Sequence, residues 1–527
     1  MKKILTYILI GAVSLGAVSC KKLDINENPN RPTEGTPTLV LPQAIVATAA
    51  LSQSYNSSFY YNGGFFANVY GFGAYGSTVS LNYTSLDYNT LWVNSYDNLT
   101  DYQYVIDNTS GDATLAYSNA AARIMKAFVF SKIVDNWGDA PYSEALKGQL
   151  ALTPKYDKAA DIYKALVAEL TSSIATITAA QPINTTATIV PSADPMFGGD
   201  MTKWKRFANT LKLRLLVKMA AVPEVASFAT TEFASFDNTV GVLDDDALVN
   251  PGYVKQGSRL APIYLSLAAN ESDARSATSS LPSTWIYSFY NGSKLSDAGR
   301  GAVIFRLFPL TQKNQLGNEN LASTVIPPLG STAWYTGADF STPGLGAVKG
   351  PSQGQVIMLL AEANFLKAEA IARGYIAGDA ASAFDAGITG SFSYLFKSQT
   401  GVVDPTKNVT AAVANYKAEN PTSYLVNFNL AITLNQRIEA IITQKYIAMN
   451  PINCDEAFAE FRRTTYPTIV NGSTNPTSTF ASLQSTSTSP DKLLTRLPYA
   501  SSEYARNPNN TPQNVNIFTA KIFWDLN

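Results

Sequence analysis

Apolar residues recur every three or four positions along several long segments of the chain, which is the spacing of one helix face. In the stretch DIYKALVAELTSSIATI these positions are Ile162, Leu166, Leu170, Ile174 and Ile177. Similar helical stretches lie at 119–137, 203–220, 356–396 and 431–450. The first of these is apolar on more than one side, which is typical of a helix packed between neighbours. The pattern predicts a mostly α-helical protein.

The segment 356–396 predicts two helices joined by a turn at Gly374–Gly378. Small residues at Ala361, Ala368 and Ala372 would let the helices approach closely. Tetratricopeptide repeats have this helix–turn–helix build, with alanine and aromatic residues at the packing positions. We therefore expect irregular tetratricopeptide-like helical repeats.

The first residues have the form of an export signal. Two lysines precede an uncharged apolar run, Ile4–Ser19, that is too short to span a bilayer comfortably. Small residues stand just before Cys20, as in a bacterial lipobox, where the cysteine is lipidated and becomes the mature N-terminus. The alternative is an ordinary signal peptide with an incidental Cys20. We expect a signal peptide at 1–19, a lipidated tether at 20–42 and one folded domain at 43–527.

The composition excludes several classes of function. Charge is balanced, with 39 Lys+Arg against 40 Asp+Glu, so nucleic acid is not an expected partner. The chain has no histidine, which removes histidine-dependent catalytic triads and histidine-ligated zinc. The sequence GPSQG at Gly350–Gly354 has the form of a hydrolase nucleophile elbow, but Ser352 lacks its histidine and is predicted to be a loop residue. Asp244–Asp246 is predicted to be a solvated turn rather than a calcium site. No catalytic residue, metal or cofactor is expected.

Six stretches, in order from Cys20 almost to Asn527, resemble one family. They are LDINENPNRPT, VDNWGDAPYSEAL, KWKRFANTLKLRL, LLAEANFLKAEAIARG, QKYIAMN…EAFAEFRRTTYP and LPYASSEYARNPNN…IFWD. On these stretches the chain resembles the SusD/RagB family of outer-membrane nutrient-binding lipoproteins of Bacteroidota.

The resemblance implies a SusD-like fold with tetratricopeptide-like repeats, long ligand-binding loops and no catalysis. It implies a surface-exposed lipoprotein, held in the outer membrane through Cys20. It also implies a protein partner, a SusC-like TonB-dependent transporter to which a captured oligosaccharide is delivered. The family binds both glycans and peptides, so the resemblance leaves the ligand class open.

Aromatic residues concentrate between 55 and 104, where fifteen of them accompany seven asparagines and no lysine or arginine. Rings beside amides suit neutral sugars, since C–H faces pack on rings while hydroxyls form hydrogen bonds. Tyr88, Trp92, Tyr96 and Leu99 have helical spacing and are predicted to be packing residues. The predicted ligand contacts lie in loops: Tyr70, Phe72, Tyr75, Tyr83, Trp285, Tyr290, Trp334 and Tyr335. For each of them, a place in the core or in a protein interface is the alternative.

Three functions remain open at this point. The first is glycan binding with import, and the second is peptide binding by the same fold. The third is an all-helical glycoside hydrolase, which needs two carboxyl groups held roughly 5–10 Å apart. Nothing in the sequence singles out such a pair.

Overall fold

The computed structural model describes residues 35–69, 76–183, 185–319, 335 and 344–527. The described residues form sixteen α-helices: α1 (Pro37–Ser58), α2 (Ser77–Ser80), α3 (Asn89–Thr109), α4 (Ala116–Trp137), α5 (Ala159–Ala180), α6 (Met201–Met219), α7 (Ala226–Ala234), α8 (Pro262–Leu267), α9 (Thr284–Tyr287), α10 (Ala298–Ile304), α11 (Leu360–Ala372), α12 (Ala380–Phe396), α13 (Val409–Glu419), α14 (Leu434–Ala448), α15 (Cys454–Thr464) and α16 (Ser501–Arg506). Six short strands form three antiparallel pairs: β1 (Phe66–Asn68) with β5 (Ser280–Pro282), β2 (Ala140–Pro141) with β3 (Tyr156–Asp157), and β4 (Ala247–Val249) with β6 (Gln355–Met358).

Long helices pack on their neighbours in sequence. α1 lies against α3, and α3, α4, α5 and α6 follow one another as packed pairs. α11 and α12 form a second helical pair, and α11 also contacts α6 and α14. The predicted mostly α, tetratricopeptide-like architecture is therefore confirmed.

Small residues permit the close approach of α11 and α12, as the sequence predicted. Ala361 is fully buried on α11 and lies next to Gly390 on α12. Gly387 is tighter still, because a Cβ at this position would lie 2.5 Å from the ring of Phe365. A larger side chain here would force the two helices apart.

The first described helix begins before the predicted start of the domain at residue 43. α1 starts at Pro37, and Leu41 is already buried, so residues 37–42 are helical rather than part of a tether. Pro37 suits the first turn of a helix because its missing N–H would be unpaired there. Pro42 lies farther inside, where it removes one intrahelical hydrogen bond. The prolines predicted a tether, but burial of Leu41 and its neighbours stabilises a helix that includes Pro37 and Pro42.

Charged side chains form a network in the core. The stretch 203–220 places Lys212, Arg214 and Lys218 inside, where each of them is buried. Lys218 on α6 donates to Asp135 on α4 at 2.8 Å and to Glu456 on α15 at 2.9 Å. Burial requires such pairing, because an isolated charge in the interior is strongly unfavourable. The network therefore fixes α4, α6 and α15 relative to one another.

Two loop predictions have different outcomes. Ser352 lies in a turn with its carbonyl accepting from Asn250, as a loop residue would. The aspartate run is not a simple solvated turn, because Lys397 Nζ lies 2.7 Å from Asp245 and 2.9 Å from Asp246. Asp246 is buried and also accepts the N–H of Leu360, so it is anchored to the start of α11.

Candidate functional site

A groove of about 410 Å³ lies where residues 82–85 meet residues 498–518. We call it the Tyr83 groove. Its lining residues are Asn82, Tyr83, Ser85, Pro498, Tyr499, Tyr504, Asn514, Val515, Asn516, Ile517 and Phe518. Backbone hydrogen bonds join the two walls, since Ser501 N–H donates to the Ser85 carbonyl at 2.8 Å. The groove thus depends on contacts between segments more than 400 residues apart.

Tyr83 is held in place from two sides. Its hydroxyl donates to Asn62 Oδ1 at 3.1 Å, and Asn62 in turn donates to the Tyr88 hydroxyl at 3.2 Å. The rings of Tyr83 and Tyr88 lie 5.1 Å apart between centroids. Burial raises the pKa of the Tyr83 hydroxyl, so this side chain stays neutral at physiological pH. The residue is half-buried and presents a fixed, uncharged ring to the groove.

The opposite wall is anchored by a glutamate. Glu503 on α16 accepts from Trp92 Nε1 at 3.2 Å and from the Tyr156 hydroxyl at 2.8 Å. Asn89, at the start of α3, accepts from the backbone N–H of Ser502 at 2.9 Å. These bonds tie α16, which carries Tyr504, to α3 and β3. A wall held by several elements keeps its rings in place without a ligand.

None of the eleven lining residues carries a charge. Four are aromatic, three are asparagines and one is a serine, and Tyr504 and Phe518 are half-buried like Tyr83. The exposed asparagine side chains offer both donors and acceptors, whereas the rings offer flat apolar faces. No carboxyl group lines this groove, so it lacks the acid pair that glycoside hydrolysis requires. The groove suits a neutral, polyhydroxylated ligand.

The structure corrects the placement of three predicted ligand residues. Trp285 is 1% exposed and donates through Nε1 to the Tyr446 hydroxyl at 3.1 Å. Tyr290 is 2% exposed, and its hydroxyl accepts from Asn450 at 3.1 Å. Tyr335 is 3% exposed, stacks on Phe66 and donates to the Phe65 carbonyl at 2.9 Å. The expectation that these rings lie on open loops is wrong, because their polar atoms find partners inside the core.

Of the other predicted ligand residues, one is described by the structure and four are not. Tyr83 lines the groove. Tyr70, Phe72, Tyr75, Trp334 and the lipidation candidate Cys20 lie outside the described residues. Trp92 and Leu99 are buried on α3, and Tyr88 and Tyr96 pack against the core, as their helical spacing predicted.

One wall of the groove comes from a stretch in which no ligand contact was predicted. Tyr504, Asn514, Asn516 and Phe518 come from the C-terminal stretch YARNPNNTPQNVNIF. This stretch contains five asparagines but only two rings, and it includes Arg506. The density of rings and the absence of basic residues that singled out residues 55–104 therefore do not mark it.

Metal binding and membrane crossing have no candidates in the described residues. They contain no group of three or more cysteine and acidic side chains that could hold a metal ion. None of the helices built from these residues is both long and apolar enough to traverse a bilayer.

Fold and groove together define a helical-repeat protein with a neutral, aromatic-rich groove. The model of the SusD-like family, described as starch-binding and associating with the outer membrane, matches residues 29–484. The chain belongs to this family.

Solved structures share the fold. A chitin-binding protein is 24% identical, with a TM-score of 0.65 over 93% of this chain and 99% of that chain. A SusD homolog from Bacteroides uniformis is also 24% identical, with a TM-score of 0.65 over 92% and 99%. A chitin-binding SusD homolog from Flavobacterium johnsoniae is 22% identical, with a TM-score of 0.67 over 92% and 99%. A comparison with curated proteins gives no match.

Proposed function

We propose that this protein captures a neutral oligosaccharide at the cell surface and delivers it to a SusC-like TonB-dependent transporter of the outer membrane. The uncharged Tyr83 groove, with its rings and amides, is the observation that carries the proposal. Membership of a family described as starch-binding supports it, as do two chitin-binding proteins of the same fold. We keep Tyr83 as a proposed ligand contact, together with Tyr70, Phe72, Tyr75 and Trp334.

The proposed role is binding without chemical conversion. The Tyr83 groove has no carboxyl group, so it lacks the pair of carboxyl groups that most glycosidases use. Delivery to a transporter also requires that the ligand leave unchanged. Purified protein should therefore release oligosaccharides at their original length, as checked by chromatography after prolonged incubation.

The anchoring and location follow from the N-terminal pattern and the family. The family is associated with the outer membrane, and Cys20 would supply the lipid anchor. Several acyl chains on one cysteine give stable attachment, whereas a single chain binds a membrane only weakly.

A binding panel tests the proposal. Purified protein lacking residues 1–20 is titrated calorimetrically with oligosaccharides of starch, chitin, xylan and mannan, with acidic alginate fragments and with a peptide digest. A neutral glycan should bind, with an affinity that changes little between 0.1 and 1 M NaCl, because salt screens only charged contacts. Binding of the peptides or alginate alone would contradict the proposal.

A further inference from the structure

A second cavity, of about 590 Å³, lies beside the Tyr83 groove near the C-terminus. We call it the C-terminal cavity. It is lined by Phe461, Arg462, Thr465, Thr468, Ile469, Asn471, Thr488, Ser489, Pro490, Asp491, Leu494, Thr495, Phe518, Thr519, Lys521, Asp525 and Asn527. Phe518 lines both cavities, so the two spaces adjoin at this residue.

The segment that carries Phe518 is held in place by hydrogen bonds from Thr495. The carbonyl of Ile517 accepts from the Thr495 N–H at 2.8 Å and from the Thr495 hydroxyl at 3.0 Å. The same hydroxyl lies 3.0 Å from the Ala520 carbonyl. The N–H of Phe518 itself donates to Asn516 Oδ1 at 2.8 Å. Phe518 is therefore a half-buried ring on a braced turn, standing between two cavities.

Four charged side chains line the C-terminal cavity, and three of them are hydrogen-bonded within the protein. Arg462 donates to the carbonyls of Thr495 and Asp135, at 2.8 and 2.9 Å. Asp491 accepts from the Ser489 hydroxyl and from the Leu493 N–H, and Asp525 accepts from the Asn527 N–H. Within the described part of the chain, the exposed hydroxyls of Thr488 and Thr519 make no hydrogen bond. The accessible chemistry is that of hydroxyls and the exposed ammonium group of Lys521 beside apolar surface.

The size of the two cavities bears on the length of the ligand. Small-molecule sites typically occupy about 300–1,000 Å³, so each cavity is large enough for a ligand portion of its own. A ring shared by two such cavities provides a platform on which a sugar unit can stack as a chain passes from one to the other.

We infer that the Tyr83 groove and the C-terminal cavity form one extended binding cleft. It takes an oligosaccharide long enough to cross Phe518, so the ligand is a segment of a polymer rather than a mono- or disaccharide. This inference rests on the proposed function. It adds a second site, its connecting ring and a requirement for chain length.

A length series tests the inference. Calorimetric affinities are measured for oligosaccharides of two to eight units from starch, chitin, xylan and mannan. For the series that binds, affinity should rise at least tenfold from the shortest to the longest member. Phe518→Ala should reduce this gain to less than threefold.

Blocking the second cavity separates the two sites. Thr519 lines only the C-terminal cavity and is exposed, so Thr519→Trp should lower affinity for the longest ligand about tenfold and leave the shortest unchanged. Thr178→Trp, at an exposed threonine on α5, is the matched control and should bind every length normally. Equal affinity for all lengths, or normal binding of the longest ligand by Thr519→Trp, would overturn the inference while leaving the proposed function intact. No binding of any series at any length would overturn the proposed function and the inference together.

Discussion

Tyr83 keeps part of its ring accessible while its hydroxyl is hydrogen-bonded to Asn62. Removing a central binding aromatic typically costs about 2 kcal/mol or more, roughly thirtyfold in affinity. We therefore expect Tyr83→Ala to weaken oligosaccharide binding about thirtyfold in calorimetry, and Tyr83→Phe to bind nearly as well as the native protein. Tyr375→Ala is the control, because Tyr375 is also half-buried but stacks on Phe233 and lines neither cavity. An equal loss in both alanine variants would contradict the assignment.

For Trp285 we expect a loss of stability rather than a direct loss of ligand binding. Its ring packs edge-on against Phe289 with centroids 5.5 Å apart, and its N–H is bonded inside the core. Trp285→Ala should destabilise the fold by about 3–5 kcal/mol, since it leaves a large cavity and removes the hydrogen bond to the Tyr446 hydroxyl. Chemical denaturation measures this loss. If the variant kept its stability and lost only binding, Trp285 would be a ligand residue after all.

Among the helices, Glu456 is the anion shared by several buried cations. Lys218, Arg214 and Lys445 lie 2.9, 3.3 and 3.7 Å from its carboxyl oxygens. Glu456→Gln should lower the free energy of unfolding by about 3–5 kcal/mol, because it leaves buried positive charge uncompensated. Glu144→Gln is the matched control, since Glu144 pairs with Lys155 at 3.7 Å on the surface and should change stability by less than about 1 kcal/mol. Urea denaturation of both variants distinguishes the two cases.

Two buried carboxylates, Glu369 and Glu456, make the stability of the fold depend on pH. Burial by itself would raise the pKa of Glu369, but Arg463 and Arg373 outweigh it and hold the pKa at about 2. Burial also opposes ionisation of Glu456, yet Lys218 and Arg214 keep its pKa well below the usual range. A lowered carboxyl pKa means that the unfolded chain binds more protons, so stability rises with pH in this window. The contribution is fully present above about pH 4.5 and disappears as the pH falls towards 2.

Thermal melts between pH 7 and pH 2 check this dependence. The melting temperature should change little down to about pH 5 and then fall steeply. The Glu456→Gln variant should show a shallower fall, because one of the depressed carboxyl groups can no longer titrate. A native melting temperature that rises on acidification would contradict the proposed role of the network.

At the scale of the whole molecule, attachment and folding are predicted to be independent. The first described helix begins at Pro37, and Cys20 precedes it by more than a dozen residues. Cys20→Ala should therefore move the protein from the membrane fraction to the soluble fraction without changing its melting temperature. Fractionation followed by immunoblotting measures the distribution. Retention in salt-washed membranes would show that the lipid on Cys20 is not the anchor.

Local patterns sufficed for the helical scaffold. The periodicity at 162–177 lies within α5, and the turn after α11 lies at the predicted glycines. These elements were predictable because the apolar face of a helix and the residues that end it are encoded within a few turns of chain. The family could also be identified from the six motifs in their order. Each motif can be read in the sequence, even where the residues that it contacts are distant along the chain.

Which side chains face solvent was decided only by the tertiary structure. Trp285 and Tyr83 both lie in ring-rich, polar stretches, yet Tyr446 and Phe480 close over the first while the second borders a groove completed by residues 498–518. Lys218 lies in a basic stretch that resembles a surface helix, but Asp135 and Glu456 neutralise it inside the core. In each case the deciding partner is more than 80 residues away along the chain. The sequence by itself determined the long periodic helices and the family, because these depend on local periodicity and ordered motifs. Burial, ion pairing and the second wall of the groove depend on which distant segments meet, and only the packed fold establishes that.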